Sequence, residues 1–95
     1  MPKLTFRAFA TLGELLPSKN MGVSTSATTV KELIDFIAKE YNPKFKEQII
    51  NPKTGKVHAF YKILVNGRDI EFLNGLETKL KEGDTVTIFP PVGGG

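Results

Sequence analysis

The sequence predicts an α+β fold, a mixed sheet of four to five strands with one main helix packed on one face. Three observations carry this. The chain opens on a period-two alternation, Leu4-Thr5-Phe6-Arg7-Ala8-Phe9, and closes on another, Thr85-Val86-Thr87-Ile88-Phe89. Between them, Val30, Leu33, Ile34, Ile37, Ala38 and Tyr41 recur at helical spacing. At 95 residues and 40% apolar content, the chain has material for one domain and one modest core.

In the opening strand, Leu4, Phe6 and Ala8 share one side, and Thr5, Arg7 and Phe9 share the other. Pro17, Asn20 and Gly22 punctuate a connection to a second short strand around Val23-Ser24-Thr25. Thr29-Val30-Lys31-Glu32 fits a capping box, whose hydroxyl and carboxylate satisfy free backbone N–H groups where the helix starts. Asn42-Pro43 stops that helix, because proline disfavours helical geometry in the residue before it. A short second helix fits Lys44 to Ile50, and Asn51-Pro52-Lys53-Thr54-Gly55 reads as a turn. Phe60 to Val65 reads as a strand, and Asn66-Gly67 as a hairpin turn into Asp69-Ile70. Gly75 marks an irregular stretch, and Glu82-Gly83-Asp84 turns the chain into the last strand. There Val86 and Ile88 point inward, and Thr85, Thr87 and Phe89 outward.

Composition removes whole classes of chemistry. Without cysteine there are no disulfides, thiolate nucleophiles or cysteine-metal sites, and a domain of this kind suits a reducing cytoplasm. His58 is the only histidine and has no companion for a metal, so no metal site is expected and a structural or solvated role is. Ser18, Ser24 and Ser26 lack a base at a recognisable spacing, and the glycine turns do not sit at strand-to-helix phosphate loops. The net charge of +3 is interspersed rather than gathered in a basic stripe, which argues against nucleic acid as a partner. No apolar run approaches a membrane span, and Met1-Pro2-Lys3 leads straight into the first strand, so neither a membrane segment nor a secretory signal is expected.

The end of the chain stands apart from the domain predicted for residues 1–89. Pro90-Pro91-Val92-Gly93-Gly94-Gly95 is expected to leave as a flexible tail, since two prolines cannot continue a sheet ladder. Six residues at about 3.3 Å each reach roughly 20 Å. Glycine has no Cβ, so such an arm enters a channel too narrow for other residues. In the nucleotide site of another enzyme, the Gly95 carboxylate can attack the α-phosphate of ATP to give an acyl-adenylate. A sulfur nucleophile can then replace AMP and leave a thiocarboxylate. The plain alternative is a frayed terminus.

At these residues the sequence resembles the ubiquitin-like sulfur carriers of the MoaD/ThiS type, most closely the small subunit of molybdopterin synthase. The resemblance runs through Lys3–Phe9, Leu12-Gly13-Glu14-Leu15, Thr29–Tyr41, Val65-Asn66-Gly67-Arg68-Asp69-Ile70 and Leu80–Gly95. The closing strand, the Phe89-Pro90-Pro91 turn and the terminal Gly94-Gly95 are its specific part. Gly93 stands where the family often carries another small residue. The resemblance implies a β-grasp fold and a thiocarboxylate carried on Gly95 beside Gly94. It implies an E1-like adenylating enzyme that uses the ATP, and a large molybdopterin synthase subunit that receives the tail. The chain would bind no cofactor, have no active site of its own, and act as a sulfur-donating cosubstrate, a monomer when free. The long segment Tyr41–Lys62 resembles carriers that serve tRNA thiolation or are joined to lysines as modifiers, an alternative destination. An RNA-binding β-grasp module without covalent chemistry is a further alternative, disfavoured by the missing basic stripe.

A partner must also hold the domain while the tail, Pro90 to Gly93 included, is threaded. The outward positions Phe9 and Phe89 are candidates. In Phe60–Val65, either Phe60 and Leu64 or Ile63 and Val65 face away from the helix; if Ile63 and Val65 are core, Phe60 and Leu64 join the open face. Fixing three glycines costs about 1–2 kcal/mol each. Burying two or three large apolar side chains at about 1.5–3 kcal/mol each offsets that.

Overall fold

The computed structural model describes residues 3–58 and 61–89. Strand β1 spans Lys3–Ala8, β2 Asn20–Ser24, β3 Lys62–Val65, β4 Arg68–Asp69 and β5 Thr85–Phe89. They form one five-stranded sheet in the order β2-β1-β5-β3-β4. The central pair, β1 and β5, is parallel, and every other pair is antiparallel. Helix α1, Val30–Glu40, and the shorter α2, Pro43–Ile49, supply the helical layer, and 3₁₀ turns at Ala10–Leu15, Ile70–Phe72 and Gly75–Glu77 fill the connections. This is the β-grasp arrangement implied by the resemblance.

The alternation of β1 decides its facing as read. Leu4, Phe6 and Ala8 are buried against Val30, Leu33, Ile34 and Ile37 of α1 and against Val86 and Ile88 of β5 in one core. Phe6 meets Phe45 of α2 edge to face at 5.6 Å between ring centroids, a favoured aromatic geometry that ties the second helix to the first strand. Burial of each such side chain contributes about 1.5–3 kcal/mol, so this face dominates the fold energy.

The structure revises several local expectations. Strand β2 begins at Asn20 and ends at Ser24, because Lys19 to Ser24 pair with β1 whereas Thr25 turns inward and its Oγ1 accepts the Ala27 N–H at 3.1 Å. Tyr41 leaves the apolar stripe: it is the C-cap of α1, its N–H still donating to the Ile37 carbonyl at 3.0 Å, and it is 42% exposed. At the start of α1, Thr29 Oγ1 accepts the Glu32 N–H at 3.2 Å, as a capping box requires. The Glu32 carboxylate, however, accepts from the N–H and hydroxyl of Thr28, at 2.8 and 3.0 Å, one residue before the cap. A short antiparallel bridge between Thr29 and Lys79 holds the chain extended there and brings Thr28 within reach. Asn42 and Pro43 both end α1 and start α2 one residue early, with Asn42 Oδ1 accepting the Lys44 N–H at 3.0 Å and Pro43 in the first turn. Strand β3 is described from Lys62, and Phe60 lies outside the described residues.

The β3–β4 hairpin turns on Asn66 (φ 53°) and Gly67 (φ 85°), the pair of left-handed residues that a two-residue hairpin needs. Asn66 does more than turn. Its Oδ1 accepts the Thr85 N–H and its Nδ2 donates to Asp84, both at 2.9 Å, while Asp84 also accepts the Lys81 N–H at 2.9 Å. Buried Asp84 thereby clamps the entry to β5 against the hairpin.

Candidate functional site

Parallel pairing of β1 and β5 builds the site. The register places Ala8 beside Ile88, both buried on the helix side, so the next residues, Phe9 and Phe89, meet on the opposite face. Their rings stack at 4.7 Å between centroids, 8° from parallel. The Phe9 N–H donates to the Ile88 carbonyl at 3.3 Å, which extends the ladder to the end of β5. Phe9 is half-buried and Phe89 is 37% exposed. Two residues back on β1, the Arg7 guanidinium lies over the Phe9 ring, 5.3 Å from its centroid.

Burial settles the facing of β3. Ile63 and Val65 are in the core, so Leu64 faces away from the helix, half-buried. Leu64 and Arg7 are the two cross-strand neighbours of Thr87, which is buried between them. The open face therefore carries Phe9, Phe89, Leu64, Thr87 and Arg7 around the end of the last strand. Its far border is charged: Lys62 Nζ lies 3.4 Å from Asp69 and 3.6 Å from Glu71. Hydrogen bonding to Asp69, with the Glu71 charge next, raises the Lys62 pKa above its ordinary value.

Of the residues singled out in the sequence, the structure brings together Phe9, Leu64 and Phe89. Phe60, Pro90, Pro91, Val92, Gly93, Gly94 and Gly95 lie outside the described residues. Arg7 escaped the sequence reading as a site residue, although alternation already placed it on the outward side with Phe9. Phe72 escaped it too: 84% exposed in the 3₁₀ turn Ile70–Phe72, it lies in a segment without periodicity. His58 is half-buried, and its N–H donates to the Ile49 carbonyl at 2.8 Å as part of the loop that closes behind α2. Among the described residues no group of three His, Cys, Asp or Glu side chains is placed to hold a metal. Nor is any described helix long and apolar enough to cross a membrane.

A chain that folds into a small β-grasp sheet, its last strand ending in an apolar patch, is matched by a known family model, described as the ThiS family, over residues 6–95. The chain belongs to the ThiS family. Among its relatives in this ubiquitin-like sulfur-carrier group is the sulfur carrier protein CysO of Mycobacterium tuberculosis, 39% identical over 74 residues, or 77% of this chain and 78% of CysO. Small archaeal modifier protein 3 of Haloferax volcanii is 35% identical over 95 residues, 98% of this chain and 99% of that protein. Among solved structures, the Amycolatopsis orientalis BexX/CysO complex contains a chain that superimposes with a TM-score of 0.75 at 30% identity, covering 97% of this chain and 99% of that one. Molybdopterin converting factor subunit 1 of Pyrococcus furiosus gives a TM-score of 0.72 at 28% identity, covering 97% and 100%. The β-grasp fold is shared throughout, and a ThiS-family relative is solved in complex with another protein.

Proposed function

We propose that this ThiS-family protein is a sulfur carrier whose Gly95 carboxylate is adenylated and converted to a thiocarboxylate, and that the sulfur goes to the dithiolene of molybdopterin. The observation that carries the reading is the stack of Phe9 on Phe89 at the end of β5, an apolar handhold where residues 90–95 begin. A partner that grips this patch holds the domain while the glycines enter its nucleotide site. The carboxylate oxygen attacks the α-phosphorus of ATP and pyrophosphate leaves. A sulfur nucleophile at the oxidation level of hydrosulfide then attacks the carbonyl carbon and AMP leaves. The chain supplies the reacting carboxylate and the docking face; the E1-like adenylating enzyme supplies ATP binding, and a large synthase subunit receives the charged tail. The chain is the cosubstrate in both steps.

The similarity to a small archaeal modifier protein favours a second reading, in which the same activated Gly95 is joined to lysines of other proteins. Both readings share the first step and part at the acceptor. The test is mass spectrometry of protein from cells that make the adenylating enzyme and a sulfur donor. The C-terminal peptide should gain the mass difference between sulfur and oxygen. That peptide lacks methionine and the chain lacks cysteine, so neither methionine oxidation nor a persulfide mimics the signal. Adding the large synthase subunit and the molybdopterin precursor should discharge it. A C-terminal peptide without sulfur in the presence of a competent enzyme and donor defeats the carrier reading. A lysine-linked Gly95 in its place supports the modifier.

A further inference from the structure

We propose that Arg7 is the specificity element of the docking face: its guanidinium receives an Asp or Glu carboxylate of the adenylating enzyme that borders the apolar patch. The inference rests on the carrier reading and names the chemistry of the partner surface. Alternation of β1 places Arg7 on the open face, and the parallel register sets it beside Thr87, two residues before Phe89. The guanidinium lies over Phe9, whose ring is itself stacked on Phe89. A guanidinium held over a ring keeps its in-plane N–H donors free, and that fork matches a carboxylate.

Among the described residues those donors have no carboxylate partner: the ion pairs join Lys46 to Asp35 and Lys62 to Asp69 and Glu71. The outward positions of the neighbouring strands, Asn20, Gly22 and Ser24 on β2 and Thr85, Thr87 and Phe89 on β5, carry no acid. The cation across the patch, Lys62, already has two carboxylates beside it. Among the described residues a pre-oriented cation without an ion-pair partner thus abuts an apolar surface, and the complementary partner is an apolar ridge flanked by a carboxylate. Such a pair suppresses wrong partners as well as adding affinity.

The test is ATP–pyrophosphate exchange by the cognate adenylating enzyme at varied carrier concentration, with wild type, R7Q, R7K and K62Q, each also melted thermally. R7Q should raise the KM for the carrier about tenfold, the loss of one charge-assisted contact, with kcat unchanged and the melting temperature lowered by no more than a few degrees, the loss of the contact with Phe9. R7K keeps the charge without the fork and should fall between. K62Q, whose charge is spent on Asp69 and Glu71, should stay near wild type. The salt dependence of KM should flatten in R7Q. A wild-type KM in R7Q overturns the inference alone, as does an equal rise in R7Q and K62Q, which reports net charge only. A carrier dimer abolished by R7Q would make a second copy the occupant and also overturns it. Wild-type chain that supports no exchange removes the carrier reading itself, and this inference with it.

Discussion

Phe89 lies on the open face and stacks on Phe9, so truncating it removes an aromatic contact without opening the core. For Phe89→Ala we expect a stability loss of about 1 kcal/mol, the worth of an exposed aromatic pair. In a chain of this length that lowers the melting temperature by roughly 5 °C. Affinity for the adenylating enzyme should fall by more, about thirtyfold, as for a central aromatic anchor. A thermal melt beside a binding titration separates the two; a large melting loss at unchanged affinity would make Phe89 a core residue. Glu32 gives a residue-scale prediction in pH. Hydrogen bonds from the Thr28 N–H and hydroxyl hold its pKa below the ordinary value. A carboxylate depressed in the folded state contributes stability that is present above its unfolded pKa, about 4.3 for glutamate, and is lost as pH falls through the folded value. Glu32→Gln should therefore flatten the acid limb of the stability–pH curve, lowering stability at neutral pH and changing little below the folded pKa, as read by urea melts across that limb.

At the scale of elements, the entry to β5 depends on one buried carboxylate. Asp84 accepts from the Lys81 N–H and from Asn66 Nδ2, so Asp84→Ala leaves two donors without their acceptor at the hairpin. The expected cost is about 2–6 kcal/mol, one to three for each stranded group. Urea unfolding should show the midpoint falling with an unchanged slope, since the surface exposed on unfolding is the same. The 3₁₀ turn Ile70–Phe72 gives the opposite case. Phe72 is largely in solvent while Ile70 in the same turn is buried. Phe72→Ser should stay within about 0.5 kcal/mol of wild type, as a surface change away from packing does. A large loss would mean that the turn packs through Phe72 rather than Ile70.

For the whole molecule, the core among the described residues runs from Leu4 to Ile88 and closes around the sheet and the two helices. Deleting Gly94 and Gly95 should leave the melting temperature unchanged and abolish ATP–pyrophosphate exchange with the adenylating enzyme. Normal exchange by the shortened chain would show that the Gly95 carboxylate is not the substrate. The two halves of this prediction separate folding from chemistry, because the fold lies in the sheet and helices and the proposed reaction in the tail.

Facing was legible in the sequence because side-chain direction follows local backbone geometry. Period two put Leu4, Phe6, Val86 and Ile88 inward and Phe9 and Phe89 outward, and helical period put Val30, Leu33, Ile34 and Ile37 on one stripe, all as found. Tyr41 failed the same rule because it stands where the helical backbone ends, and periodicity says nothing of a residue beyond the last turn. Asn66-Gly67 was legible because few residues tolerate the left-handed backbone that the turn demands. Which strands become neighbours was not local. The sequence left Phe9 and Phe89 eighty positions apart and left the facing of Phe60–Val65 open. Packing one sheet face against α1 and α2 sent Ile63 and Val65 inward, and Leu64 outward with them. The parallel pairing of the first and last strands then laid Phe9 on Phe89 and Arg7 over Phe9. Composition and the glycine terminus pointed to the chemistry; only closure of the sheet, driven by burial of apolar side chains distant in sequence, assembled the surface proposed to deliver it.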